Sequence, residues 1–348
     1  MRAVMYSQVG VLPGVVEMDD AECPDDGVVV EVAATGVCRS DWHAWRGHDP
    51  VALPIIPGHE FAGTIVAVGP GVSGWQAGDR VTAPFVLGCG HCAFCAAGDA
   101  QVCPNQLQPG FTLPGSFAQR VAVPRAQANL VRLPDSVSFV AAASLGCRFA
   151  TSFRAVVTHG GVRPGQWVAV HGCGGVGLSA VMIAKAFGAR VVAVDRDAQA
   201  LATAGRLGAD ELINGTEIPD VAAEVVQRTG GGVHIGVDAI GHPAVAAASV
   251  CALRRRGRHV QVGLLLGDAA QTAFPMDRVI AQELSILGSH GMPAVDYPAM
   301  LDLLASGALQ PELLVTRRVG LDDAGAAMAA MDAPTGPGMT IIEPARAG

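Results

Sequence analysis

The chain has 348 residues, half of them apolar and 16% charged, with 44 glycines. That length suits two domains with separate cores, and the low charge at a mean hydropathy of +0.38 excludes a disordered chain. A net charge of −8 argues against nucleic acid or an anionic membrane as partner.

The stretch Met1 to Val16 lacks the basic start and apolar run of a secretory leader. Residues 1 to about 148 read as short strands punctuated by Gly and Pro. Val28 to Val32, Phe61 to Val68 and Phe117 to Val123 are predicted strands of a mostly antiparallel domain. From about 150 strands and helices alternate. Trp167 to His171 and Arg190 to Val194 are predicted strands, and Leu178 to Phe187 and Ala198 to Leu207 predicted helices. Ile235 to Asp238, His259 to Val262 and Leu284 to Leu287 supply later strands, so βαβ units and a parallel sheet are expected. The basic run Arg254 to Arg258 is expected at a solvated helix-to-strand junction. After Gly288 come two helical stretches and a terminal strand, Met339 to Ile342. The most apolar window, Val168 to Ala184, carries His171 and several glycines and makes a poor membrane span, so a soluble, cytoplasmic protein is expected.

Nine cysteines in such a chain point to metal ligation or catalysis rather than disulfides. Cys89, Cys92, Cys95 and Cys103 share one short loop, and two-residue spacings let thiolates converge on one tetrahedral zinc. Four sulfurs leave no open position, so that site is expected to be structural. The spacing fits neither ferredoxin pattern of an iron–sulfur cluster.

The strand at Trp167 runs into Gly172-Cys-Gly174-Gly175-Val176-Gly177, then a helix, then a strand ending at Asp195. This is the setting of a dinucleotide site. Gly172 permits the tight turn, Gly174 the approach of the pyrophosphate, and Gly177 close helix–strand packing, with free N–H groups at the helix start. Asp195 suits a ribose diol and repels a 2′-phosphate, which favours NAD over NADP. Arg196 beside it is the residue that could instead meet such a phosphate.

Three elements remain: Cys38-Arg39-Ser40-Asp41-Trp42-His43, Gly58-His59-Glu60, and Cys147 within Leu145 to Thr151. With the glycine turn and the cysteine loop in the same order, the chain resembles the zinc-dependent alcohol dehydrogenases of the medium-chain dehydrogenase/reductase superfamily over essentially its whole length. The resemblance implies a Rossmann nucleotide-binding domain, 149–289, inserted in a GroES-like, mostly β catalytic domain formed by 1–148 and 290–348. The active site then falls in the cleft between them.

By the same resemblance Cys38, His59 and Cys147 hold a catalytic zinc with a fourth position for water or substrate, and Glu60 is an alternate ligand. Two thiolates and an imidazole with an open position also form a catalytic zinc shell on chemical grounds. Cys147 matches alcohol-dehydrogenase types, whereas polyol relatives often carry Glu. Asp41 is expected to fix the His59 tautomer. The resemblance implies that Ser40 takes the substrate proton and passes it through the cofactor ribose to His43, with His48 the alternative terminus. Arg39 is expected at the pyrophosphate, Thr151 near the nicotinamide, and Leu264 near cofactor and substrate. Trp42, Trp45, Phe85 and Phe117 are expected to line an apolar channel.

Two zinc ions and NAD are therefore the expected cofactors. The expected reaction is interconversion of a primary or secondary, apolar or aromatic alcohol with its aldehyde or ketone. A polyol- or aldehyde-reducing zinc dehydrogenase using NADP(H), a zinc-free quinone or enone reductase using NADPH, and a non-enzymatic NAD- or zinc-binding relative are the alternatives; the zinc-free reductase would lack ligands at Cys38, His59 and Cys147. The short connection from Cys103 to Phe117 is closer to microbial tetrameric relatives, and a homo-oligomer, tetramer or dimer, is implied. Two positions depart from the pattern: Met339 stands where an Arg often binds pyrophosphate, and Arg148 where a small residue is commoner. Arg148 could meet an anionic substrate group or pair with an acid.

Overall fold

The valine-rich run beginning at Val28 builds the longest strand of the first sheet. β-Branched residues favour the extended backbone, and the strand reaches Val37, past the predicted end at Val32. The added stretch is rich in Ala and Gly, and cross-strand pairing holds it extended: Thr35 pairs with Phe61 and Ile342, and Gly36 with Ile341. The computed structural model describes residues 1–333 and 336–346. It divides into two compact units, one comprising Met1–Ala150, Gly291–Thr335 and Met339–Gly348, the other Thr151–His290 and Gly336–Gly338. Residues 347 and 348, at the end of the span assigned to the catalytic domain from sequence, lie outside the described residues.

In the first unit the sheet runs Val315–Val319, Met339–Ile342, Val28–Val37, Phe61–Val68, Arg80–Thr82, Val131–Arg132, with Arg120–Val123 also pairing to Val28–Val37. All these pairings are antiparallel except that of Val315–Val319 with Met339–Ile342. The predicted strand at Phe117 begins only at Arg120. Val315–Val319 was not predicted, because Thr316, Arg317 and Arg318 are exposed on an edge strand and break the apolar pattern.

The second unit is a six-stranded parallel sheet in the order Glu211–Asn214, Arg190–Asp195, Trp167–His171, Val233–Asp238, Leu253–Gln261, Ser285–Gly288. Strand order reverses between Trp167–His171 and Val233–Asp238, the switch point at which doubly wound sheets bind dinucleotides. The basic run needs correcting: Arg254 to Arg258 lie within the strand Leu253–Gln261 rather than before it. Their side chains are nevertheless solvated, as expected. Among the described residues one helical stretch, Phe139–His159, is long and apolar enough to cross a membrane, and 89% of its apolar window is buried. Such burial is what a core helix shows.

Candidate active site and metal centres

Cys38 follows the strand Val28–Val37 and caps the short helix Arg39–Trp45. Asp41, in the first turn, is 1% exposed and folds back on that cap. Its Oδ2 accepts the Cys38 backbone N–H at 2.9 Å. Its Oδ1 accepts the Gly58 N–H at 3.0 Å and stands 2.9 Å from His59 Nδ1. One carboxylate thus fixes both the Cys38 backbone and the His59 ring. Gly58 has φ +103°, and a Cβ there would stand 2.4 Å from Phe117 Cδ1, so a larger residue would push His59 aside.

With His59 Nδ1 directed at Asp41, its Nε2 is buried and has no hydrogen-bond partner among the described residues. Cys147 lies in a kinked turn, Leu145–Phe149, where a Cβ on Gly146 would meet Glu60 Cβ at 2.5 Å. The ligand atoms of Cys38, His59, Cys147 and Glu60 all lie within 4.8 Å of one another. A buried imidazole nitrogen without a partner, converging with two sulfurs, fits a zinc ion with a coordination position to spare. A hydrogen bond from Cys147, together with His59 and the Arg148 guanidinium, outweighs desolvation and holds Cys38 well below the usual thiol range.

Glu60 is committed elsewhere. Its Oε1 accepts the N–H groups of Cys147 at 2.9 Å and Arg148 at 3.1 Å, and Arg148 Nε at 3.2 Å. Arg148 Nη2 donates to Oε2 at 2.5 Å. Both side chains are buried, so the cation left without a role by the sequence is the partner of Glu60. Burial lifts the Glu60 carboxyl above its ordinary value, with Arg148 opposing the shift. Tyr297, which no motif flagged, is fully buried, and its Oη has no partner among the described residues; desolvation first, then Cys147 and Glu60, raise its pKa.

Ser40 and His43 sit three residues apart on one helix and so share a face. Ser40 Oγ is 3.8 Å from Cys38 Sγ, and His43 Nδ1 is 3.1 Å from His48 Nδ1. The two histidines weighed against each other as proton exits are therefore neighbours. Phe85 stands 5.9 Å from His59, ring centre to ring centre. Phe111, at 5.3 Å, was missed because no spacing marks it.

Several expected pocket or cofactor residues are engaged elsewhere. Trp45 and Phe117 are buried in the core cluster with Tyr6, Ile55 and Leu321, and Trp45 Nε1 donates to the Val11 carbonyl at 2.7 Å. They pack the core instead of lining a channel. Trp42 donates to Asp332 at 2.8 Å. Arg39 donates to the Met331 carbonyl at 2.5 Å and lies over the Trp42 ring. Met339 is buried in its strand and brings no cation.

The second cluster is Cys89, Cys92, Cys95 and Cys103, whose sulfurs also lie within 4.8 Å of one another. Cys89 and Cys95 Sγ are 3.9 Å apart, and Cys92 and Cys103 Sγ 3.7 Å. Thiolates about 2.3 Å from a tetrahedral zinc stand about 3.8 Å apart. The Cys89 and Asn105 N–H groups both point at Cys103 Sγ, at 3.3 Å. The His91 backbone N–H leads the causes that lower Cys89 to about 6. Asn129, buried and missed from sequence, clamps the loop by exchanging two hydrogen bonds with Gly88. Cys103→Ser is expected to release one metal equivalent and lower the unfolding midpoint by several degrees, leaving the other metal in place. Metal analysis and thermal unfolding check this.

In the second unit Gly172 has φ +93°, and a Cβ on Gly177 would stand 1.7 Å from the Gly172 carbonyl oxygen. A Cβ on Gly174 meets nothing within 4 Å, so the space over the turn is open. Gly175 and Val176 open the helix Gly175–Ala186. Asp195 ends its strand and braces the turn: Oδ2 accepts the Cys173 N–H at 2.5 Å and Oδ1 the Arg196 and Asp197 N–H groups. A tight turn, an open face and a carboxylate at the strand end fit a dinucleotide. Thr151 is buried, and Arg196 and Leu264 are exposed.

Two family models match the chain. Residues 24–135 match the alcohol dehydrogenase GroES-like domain, and residues 175–306 the zinc-binding dehydrogenase domain. An alcohol dehydrogenase of Geobacillus stearothermophilus is 36% identical over 314 residues, 89% of this chain and 90% of that protein. A sorbitol dehydrogenase of Halalkalibacterium halodurans is 32% identical over 330 residues, 93% and 94% of the two chains. The solved alcohol dehydrogenase TADH from Thermus sp. ATN1 superimposes with a TM-score of 0.91 at 31% identity, covering 99% of each chain. A GroES-like domain joined to a Rossmann-type dehydrogenase domain is the plan of the medium-chain dehydrogenases. The chain belongs to the zinc-dependent alcohol dehydrogenase family within them.

Proposed function

We propose that the chain is an NAD-linked alcohol dehydrogenase that interconverts an apolar or aromatic alcohol with its aldehyde or ketone. The observation that carries this is the buried, unpartnered Nε2 of His59 converging with the sulfurs of Cys38 and Cys147. When bound, zinc there acidifies a hydroxyl and polarises a carbonyl, and the nicotinamide exchanges the hydride. Asp41 holds the imidazole in the tautomer that offers Nε2 to the ion. Arg148 keeps the Glu60 carboxylate occupied, which favours leaving the fourth position to substrate. Phe85 and Phe111 surround the His59 ring with apolar surface that disfavours water and suits an apolar alcohol. Cys147, where polyol enzymes often carry Glu, supports an alcohol over a polyol. The test is NADH formation at 340 nm over a panel of apolar, aromatic and polyhydric alcohols, with and without a chelator. Turnover that is restricted to polyols or indifferent to chelation contradicts the reading.

In this reading Ser40 takes the substrate hydroxyl proton and His43 with His48 releases it to solvent, which the 3.1 Å approach of the two histidines supports. Burial first, then His48 and Arg39, hold His43 below the usual imidazole value, while Cys38 and Asp49 pull the other way. His43 is then an unprotonated acceptor down to lower pH. His48→Gln removes a depressing neighbour, so the acid limb of the kcat–pH profile is expected to move to higher pH. An unmoved limb in the variant argues against this exit.

Asp195 is the proposed determinant of NAD preference, because its charge repels a 2′-phosphate. Asp195→Ser is expected to shift the ratio of kcat/KM for NADP over NAD upward by about tenfold or more, which is about 1.4 kcal/mol. A wild-type protein that already prefers NADP contradicts the assignment.

A further inference from the structure

The nucleotide-binding unit has a second polar concavity, at the end of its sheet opposite the glycine turn. The turn follows the C-terminal end of Trp167–His171, whereas this cavity, of 170 Å³, includes Gln166 and His234 at the N-terminal ends of two neighbouring strands. Arg163, Arg254, Arg255, Arg256 and Arg258 also line it, and no carboxylate does. Five arginines lining one small cavity are unexpected in a chain of net charge −8. Among the described residues, Arg163, Arg254, Arg255 and Arg258 pair with no carboxylate, and Arg256 only reaches Glu283 at 4.0 Å. The backbone is irregular where the arginines crowd: Arg256 has φ +62°, and the pairing of Val233–Asp238 with Leu253–Gln261 slips between Val233 and Ile235.

His234 supplies an independent observation. Its Nδ1 faces the Trp167 backbone N–H at 3.0 Å, and its Nε2 faces Arg254 Nη1 at 2.9 Å. A neutral imidazole has a single lone pair. If Nδ1 accepts from Trp167, Nε2 carries a proton and meets a guanidinium N–H head-on. Two donors then face each other with no acceptor between them. An oxyanion beside them would accept from both.

We propose that this cavity binds a phosphate group, either as inorganic phosphate or as a small phosphomonoester. Tetrahedral oxygens match the guanidinium fork and can reach several donors at once. The volume lies below the roughly 300–1,000 Å³ of pockets for drug-sized ligands, so a dinucleotide does not fit.

The test is isothermal titration of the zinc-loaded protein, saturated with NAD to fill the glycine turn, at constant ionic strength. Inorganic phosphate, glycerol phosphate and chloride are the titrants. Saturable binding of phosphate but not chloride is expected, weakened about tenfold or more in the R163Q/R255Q double variant. Neither side chain has a partner to lose among the described residues. R317Q/R318Q, which removes the same charge elsewhere, is expected to bind as wild type does. Tighter binding of glycerol phosphate assigns the site to phosphomonoesters, and tighter binding of inorganic phosphate to the free ion. No saturable binding of either, or equal weakening in the two double variants, overturns the proposal.

Discussion

Cys38→Ser is expected to abolish turnover while leaving NAD binding intact. A serine hydroxyl in place of the sulfur leaves His59 and Cys147 as the remaining proposed ligands, and a neutral hydroxyl is a poor substitute for a thiolate on zinc. Losing the several kcal/mol of charge stabilisation that a metal supplies lowers kcat/KM by about a thousandfold or more. Asp41 still fixes the loop through the backbone N–H of residue 38, which the substitution keeps. The fold and the glycine turn are thus expected to survive. Steady-state kinetics beside NADH fluorescence titration separate the effects, and retained turnover contradicts the assigned ligands.

Arg148→Ala is expected to have the next largest effect, first on stability and then on the metal. Removing one partner of a buried pair leaves an uncompensated charge, at a cost of about 3–5 kcal/mol. Glu60, already raised by burial, loses the guanidinium that opposes that shift, so its pKa rises further and it tends to take up a proton. A carboxylate released from Arg148 is also free to compete for the catalytic ion, since its oxygen already lies within 4.8 Å of the other ligand atoms. The E60Q/R148M double variant, which removes both charges, is expected to be less destabilised than Arg148→Ala alone. Denaturant unfolding and the rate of zinc transfer to a chelator measure the two effects. Equal stability of wild type and Arg148→Ala contradicts the pairing.

The parts of the site legible in the sequence were those whose chemistry is local or whose residue types are scarce. The glycine turn is contiguous, and the Gly172 and Gly177 geometry follows from short-range sterics. Cys38, His59 and Cys147 lie far apart along the chain, but the resemblance marked them and the fold brings their ligand atoms together. Arg148 was visible as an anomaly without a partner, because Glu60 meets it only after Val28–Val37, Phe61–Val68 and the turn at Gly146 are assembled. Aromatic positions were least legible, since core and pocket use the same residues. Trp45 and Phe117 went to the core, and Phe111 instead stands beside His59. The run at Arg254 was read correctly as solvated but misplaced, because a bulged strand admits charges that a regular one rejects.

The most direct measurement of the central claim follows zinc content and alcohol-dependent NADH formation together as a chelator strips the protein, then as zinc is restored. Two zinc ions per chain are expected at the start. Activity should fall in step with the loss of one of them and return when zinc is added back. Full activity after both ions have gone would show that these two cysteines and one histidine do not hold the working metal.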